Sequence, residues 1–128
     1  MYKYDYVPVK EKFFPIIPLF VVRADNFVPI NALIDSGAIV SLFKAGVGRA
    51  LGIEIESGEP FRPAGIGGHI LSYLHEVVLK IEAVEIKTRV AFTDQLAVDV
   101  NLLGREGFFD AFSVLFNDRE KIITLSKF

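Results

Sequence analysis

Between Val77 and Phe92 the chain alternates with a period of two. Val77, Leu79 and Ile81 are interleaved with Val78, Lys80 and Glu82, and Ile86, Thr88, Val90 and Phe92 with Lys87, Arg89 and Ala91. Successive side chains on a strand point to opposite faces, so this spacing suits two half-buried strands and does not suit a helix of period 3.6. A turn near Ala83 to Glu85 makes them an antiparallel pair. Elsewhere the same reading predicts strands at Ile16–Arg23 and Val28–Ile34, joined across Ala24-Asp25-Asn26, with Pro18 and Pro29 placing both toward an edge or a strand start. Ile53 and Ile55 alternate with Glu54 and Glu56 as on another half-buried strand. Leu96–Leu103 predicts a buried strand ended by Gly104, and Val114–Phe116 with Ile122–Leu125 predicts a final hairpin across Asn117-Asp118-Arg119. Helix is confined to two short stretches, Lys44–Leu51 capped by Gly52, and Glu106–Phe112. The expected class is all-β, mainly β with one or two short helices around a closed barrel-like core. No repeat, linker or low-complexity stretch divides residues 1–128, which predicts one domain.

Apolar residues make up 52% of the chain, twelve of them Phe, and the mean hydropathy is +0.41. A chain of 14.3 kDa has much surface for its core, so part of this apolar content is expected at a subunit interface. The net charge is −2 and no basic patch occurs, which argues against a nucleic-acid partner. The absence of Cys excludes disulfides and thiolate metal sites. The longest apolar run, Phe13–Val22, is broken by Pro15 and Pro18 and falls short of the roughly 20 residues that span a bilayer, so no membrane segment is expected. The first residues, Met1-Tyr2-Lys3-Tyr4-Asp5-Tyr6, do not resemble a signal peptide, and a cytoplasmic location is the expectation.

The chemistry concentrates at Asp35-Ser36-Gly37, which follows the apolar Ala32-Leu33-Ile34 and precedes Ala38. Asp, Ser and Gly are ordinary turn residues, and a plain turn is one reading. The other is catalytic. A carboxylate at the end of a buried strand, beside a hydroxyl and a glycine, suits hydrolysis by paired carboxylates. One chain supplies one such triplet, so the second carboxylate comes from another copy. Gly65-Ile66-Gly67-Gly68 lacks the Lys of a phosphate-binding loop and has Ile70 where a dinucleotide fingerprint ends in Gly, which favours a hairpin tip. The two histidines, His69 and His75, have no metal-ligand spacing, since position 79 after His75-Glu76 is Leu. No Gly-x-Ser-x-Gly elbow is present. Neither a metal nor a cofactor is expected.

Three segments then occur in a telling order: Ala32-Leu33-Ile34-Asp35-Ser36-Gly37-Ala38, Ala64-Gly65-Ile66-Gly67-Gly68, and Asn101-Leu102-Leu103-Gly104-Arg105. Over residues 16–126 the chain resembles the retroviral-type (retropepsin-like) aspartic proteases. It looks nearer to cellular or prokaryotic single-domain members than to viral ones, because Ile39 and Val40 stand where the family pattern has an acidic residue. The resemblance implies a closed barrel of the acid-protease type with a flap hairpin, a homodimer, and a peptide or protein substrate. It makes Asp35, Ser36 and Gly37 the catalytic triplet, the two Asp35 carboxylates sharing one proton. Leu33, Ala38 and Leu102 line the substrate site, with Gly65, Ile66, Gly67 and Gly68 at the flap tip, and Gly104 and Arg105 are structural. The usual acidic partner of Arg105 is missing or lies elsewhere. Plain core packing is the alternative for Leu33 and Leu102. A non-catalytic dimerisation or peptide-binding module is the alternative for the whole chain. Family analogy also makes Tyr2–Val9 and Ile122–Phe128 candidates for the sheet between subunits.

Overall fold

The computed structural model describes residues 1–63 and 70–128. In chain order the elements are β1 (Tyr2–Asp5), β2 (Val7–Val9), β3 (Lys12–Phe14), β4 (Ile16–Arg23), β5 (Asn26–Ile34), β6 (Ser41–Lys44), helix α1 (Ala45–Ala50), β7 (Glu59–Phe61), β8 (Ser72–Ile81), β9 (Val84–Thr93), β10 (Asn101–Leu103), β11 (Phe112–Asn117) and β12 (Ile122–Lys127). Six strands run round a ring in the order β4-β5-β10-β6-β9-β8. The ring closes where Phe20, Val21 and Val22 of β4 pair with Lys80, Leu79 and Val78 of β8. β7 adds outside the ring, on β8, through Glu59↔Leu74 to Phe61↔Ser72. A separate three-stranded sheet, β1-β12-β11, lies apart from the ring. No helix among the described residues is long and apolar enough to cross a membrane.

The alternation read from the sequence fills this barrel. Ile17, Leu19 and Val21 from β4 point inward with Ala32 and Ile34 from β5, Val77, Leu79 and Ile81 from β8, and Val90 and Phe92 from β9. Phe43 meets Phe92 edge to face, with ring centroids 6.1 Å apart. The β8–β9 hairpin turns at Glu82-Ala83, with Glu82 in the left-handed region at φ 54. β4 and β5 pair from Ile16↔Leu33 to Arg23↔Asn26. Helix α1 ends as its glycine predicts. Gly52 has φ +82, its N–H bonds the Arg49 carbonyl (2.9 Å), and the Ile53 N–H bonds that of Gly48 (3.0 Å). These are the two bonds of a Schellman end.

Several expectations are corrected. Ile53 and Ile55 are buried and Glu54 and Glu56 exposed, but Ile55–Ser57 is a 3₁₀ turn, not a strand. The expected strand Leu96–Leu103 is reduced to Asn101–Leu103, and Val98 is exposed. Only those three residues find neighbours, on β5 and β6. The expected helix Glu106–Phe112 is a kinked turn at Arg105–Phe109, with Glu106 extended and Gly107 at φ +87. Gly107 lies against Thr88, where a Cβ would come within 2.6 Å, and Phe112 already belongs to β11. Pro18 and Pro29 take the edge alternative and not the strand start. Each lies inside its strand, where that strand is bonded to one neighbour alone, so the missing N–H breaks no ladder.

The terminal segments, candidates for the sheet between subunits, form a sheet within the chain. Tyr2–Asp5 pairs with Ile122–Leu125 of the same chain, and β12 also pairs with β11. β12 is therefore the middle strand of an intrachain sheet, with Ile123 and Leu125 fully buried.

Candidate active site

Asp35 is the first residue beyond β5, and β5 ends where it does because β10 lies beside it. Asn101, Leu102 and Leu103 run parallel to Ala32, Leu33 and Ile34, and the Asp35 N–H extends the ladder to the Leu103 carbonyl (2.9 Å). The chain then reverses. The Gly37 N–H donates to Asp35 Oδ1 (2.8 Å) and the Ala38 N–H to the Asp35 carbonyl (3.2 Å). The turn reading and the catalytic reading thus describe one object: the carboxylate closes its own turn and is oriented by doing so. Asp35 is half-buried, while Ser36 and Gly37 are exposed. A Cβ on Gly37 would lie 3.1 Å from Asp35 Oδ1, so a larger residue there crowds the carboxylate.

The loop from Asp35 to Ser41 is laced to the chain after β10. Arg105 and Glu106 donate backbone N–H bonds to the carbonyls of Ala38 and Ile39, each 2.8 Å, and the Gly104 N–H donates to the buried Ser41 Oγ (3.0 Å). Gly104 is required by the close crossing: a Cβ would sit 2.6 Å from the Val40 carbonyl group and 2.7 Å from the Ala38 oxygen. The motifs around Asp35 and Gly104 are sixty-odd residues apart in sequence, and this crossing joins them.

Arg105 is exposed and forms no ion pair among the described residues. Its neighbour Glu106 does, with a two-pronged contact to Arg89 of β9 (Nε–Oε2 and Nη2–Oε1, both 3.1 Å). Both groups are substantially exposed, which keeps such a pair modest, but its planar geometry fixes the turn after Gly104. Sequence reading missed this pair because seventeen residues separate its members. It also missed Ser41, whose signal was a single polar residue inside the run Ile39-Val40-Ser41-Leu42-Phe43.

Leu102 is half-buried, pairs with Leu42, and packs on a second apolar cluster of Val40, Leu42, Leu74 and Ala91, flanked by Phe61 and Leu96. This cluster begins five residues beyond Asp35 and is separate from the barrel interior. Leu33, also half-buried, lies next to it in the ladder with Leu102. The loop before β10 is pinned at both ends: Asp94 pairs with Arg49 of α1 (2.8 Å), and Asp99 with Lys44. Their hydrogen bonds to these cations hold both carboxyls below the usual range. The buried Asn101 accepts from the Lys44 N–H (2.9 Å) and donates to the Asn31 carbonyl (3.3 Å), tying β10 to both flanking strands.

Asp35, Ser36, Gly37, Ala38, Leu33, Leu102, Gly104 and Arg105 thus meet at one end of the ladder between β5 and β10. Gly65, Ile66, Gly67 and Gly68 lie outside the described residues; β7 and β8 bracket them as an antiparallel pair. Two concavities among the described residues lie elsewhere. One of about 540 Å³ is bordered by Pro18, Phe20, Pro29 and Lys80, and one of about 450 Å³ by Lys87, Arg89, Glu106 and Asp110. Neither includes Asp35.

No protein-family model matches the chain, and no curated protein does. Solved structures do. A retropepsin-like aspartic protease from Rickettsia conorii aligns with 96% of this chain and 89% of its own, at 17% identity and a TM-score of 0.70. EIAV protease, complexed with the inhibitor HBY-793, aligns with 77% of this chain and 88% of its own, at 25% identity and a TM-score of 0.55. The closed barrel of this chain is thus the fold of these retropepsin-like aspartic proteases.

Proposed function

We propose that the protein is an aspartic endopeptidase active as a homodimer, with one Asp35 from each copy. The observation that carries this reading is the setting of the Asp35 carboxylate. One oxygen is held by the Gly37 N–H, and no cation of the chain pairs with the group among the described residues. The second oxygen is left to share a proton with its counterpart. In the pair, the ionised carboxylate takes a proton from a water held between them. The resulting hydroxide attacks the scissile carbonyl carbon as the protonated carboxyl gives its proton to the carbonyl oxygen. The carboxyl that took the water's proton then gives it to the leaving nitrogen while the other carboxylate takes a proton from a diol hydroxyl, so that the C–N bond breaks, a carboxylic acid and an amine form, and the pair again holds one proton. Leu102 and its ladder neighbour Leu33, both half-buried beside the packed cluster of Val40, Leu42, Leu74 and Ala91, receive apolar side chains of the peptide next to the bond that is cut.

The test is hydrolysis of a pool of unstructured peptides across pH by purified protein. Because the pair must carry one proton, the expected profile is bell-shaped and belongs to the pair, not to either residue. Asp35→Asn keeps the shape of the turn but cannot act as the base. It is expected to lower turnover by about 10²–10⁴-fold while circular dichroism and sedimentation stay unchanged. Near-normal turnover in this variant would remove Asp35 from the chemistry. Peptide binding without cleavage by the wild-type dimer at any pH would identify a non-catalytic binding module.

A further inference from the structure

The β2–β3 hairpin stands apart from the rest of the chain. Val7–Val9 and Lys12–Phe14 pair with each other, and among the described residues no third strand joins them. The turn is well built: Lys10 and Glu11 both take left-handed angles, φ 47 and 68, as a two-residue hairpin turn of matching twist requires. A lone two-stranded hairpin is nonetheless marginal in water unless something covers it. Here every strand residue except Phe14 is exposed, with Val7 at 38%, Val9 at 42% and Phe13 at 50%. Both faces carry apolar side chains. The register puts Val7 and Val9 on one face with Phe14 and Lys12, and Pro8 with Phe13 on the other.

The stem of this hairpin rises beside the aspartate. Before it, the buried Tyr6 donates its N–H to the Lys121 carbonyl (2.8 Å). After it, the Pro15 carbonyl accepts the N–H of Ile34 (3.0 Å), the residue immediately before Asp35. On the Asp35 loop, Ile39 is another large apolar side chain left open, at 64% exposure.

We propose that the β2–β3 hairpin is an arm that lies on a second copy of this chain, against the apolar surface around that copy's Ile39. The proposal rests on the homodimer reading and names its contact. Two Asp35 carboxylates share a proton only if two copies meet at the Asp35 loops. A hairpin anchored one residue from Asp35 then lies alongside the other copy. Two-fold symmetry makes the contact twice, so each apolar side chain of the arm is buried twice per dimer. The charged tip, Lys10-Glu11-Lys12, stays at the wet rim.

The experiment is sedimentation velocity across a dilution series for wild type and for Val9→Lys/Phe13→Lys. Both residues are exposed in the single chain, so circular dichroism is expected to be unchanged. The dissociation constant of the dimer is expected to rise at least about tenfold, with peptide hydrolysis lost on dilution in step. A wild-type dimer that the double variant leaves intact would overturn the arm while sparing the homodimer. So would a dimer separated by Leu115→Lys on the exposed β11 edge but not by the hairpin variant. A wild-type protein that is monomeric at every concentration would overturn the homodimer reading itself. A second measurement avoids dependence on the double variant. The chain has no Cys, so Phe13→Cys carries a photoreactive maleimide at one site. Illumination is expected to give covalent dimers with the cross-link near Ile39 of the other copy, and a lack of dimeric product would refute the arm.

Discussion

Gly104 and Gly46 show how differently one residue type is used. At Gly104 any Cβ meets backbone, 2.6 Å from the Val40 carbonyl group, and backbone cannot swing aside as a side chain can. Gly104→Ala is expected to cost about 1–3 kcal/mol in denaturant unfolding, because the Asp35 loop must lift off β10 to make room. Turnover should fall more than stability alone explains, since that loop carries the carboxylate. At Gly46, in α1, nothing lies within 4 Å of the added atom. Gly46→Ala is expected to stabilise the protein by about 0.4–1 kcal/mol through lower unfolded-chain entropy and better helix propensity. The pair makes a clean control: the same chemical change, with opposite signs set by what stands next to the backbone.

At the level of elements, strand β1 depends on few contacts and on one proton. It pairs only with β12, and the Tyr4 hydroxyl donates to Glu82 Oε2 (2.8 Å) in the β8–β9 turn, linking the small sheet to the barrel. Burial, and next the hydrogen bond to the Glu82 carboxylate, raise the Tyr4 hydroxyl above its ordinary value of 10.0. A group raised on folding stabilises fully below the unfolded value, and that contribution is lost as pH climbs toward the folded one. The melting temperature is therefore expected to be insensitive to pH near neutrality and to decline above pH 10. Tyr4→Phe should flatten that decline. An identical alkaline decline in Tyr4→Phe would show that other groups drive it. Element boundaries follow the same logic of partners. β10 is three residues long because it pairs over three residues of β5 and at Leu42 of β6, whatever the apolar content of the residues before it.

Among the described residues a barrel sheet, a three-stranded sheet and the β2–β3 hairpin make up the molecule, and the C-terminal strand holds the three-stranded sheet together. Ile123 and Leu125 are fully buried in the main core, each contributing about 1.5–3 kcal/mol by transfer. Against a total stability of about 5–15 kcal/mol their loss is severe, and β1 would lose its only partner as well. Removal of Ile122–Phe128 is expected to give an unfolded or insoluble chain. If β12 instead served only to join subunits, the truncated protein would be a folded monomer, and circular dichroism with sedimentation tells the two apart.

What could be read from the sequence was whatever depends on near neighbours. The period-two pattern of Val77–Phe92 identified a hairpin, since alternation is a property of one strand. Gly52 identified the end of α1, since a left-handed cap is a property of one residue. The order of the Asp35, Gly65 and Gly104 motifs pointed to the barrel. The contacts that place the carboxylate came only from the tertiary structure. The Gly104 crossing, the Ser41 hydroxyl under it and the Arg89–Glu106 pair all join residues far apart in the chain. Local preference also failed where distant partners competed. Leu96–Val100 had the composition of a strand but no neighbour to bond, and Phe112 was drawn from a helix into β11 by β12. Tyr2–Asp5 had the alternation of an edge strand, but which chain supplied its partner depended on the path of Ile122–Lys127 across the molecule. Sequence periodicity determines which faces are apolar, and the closure of the fold determines what those faces meet.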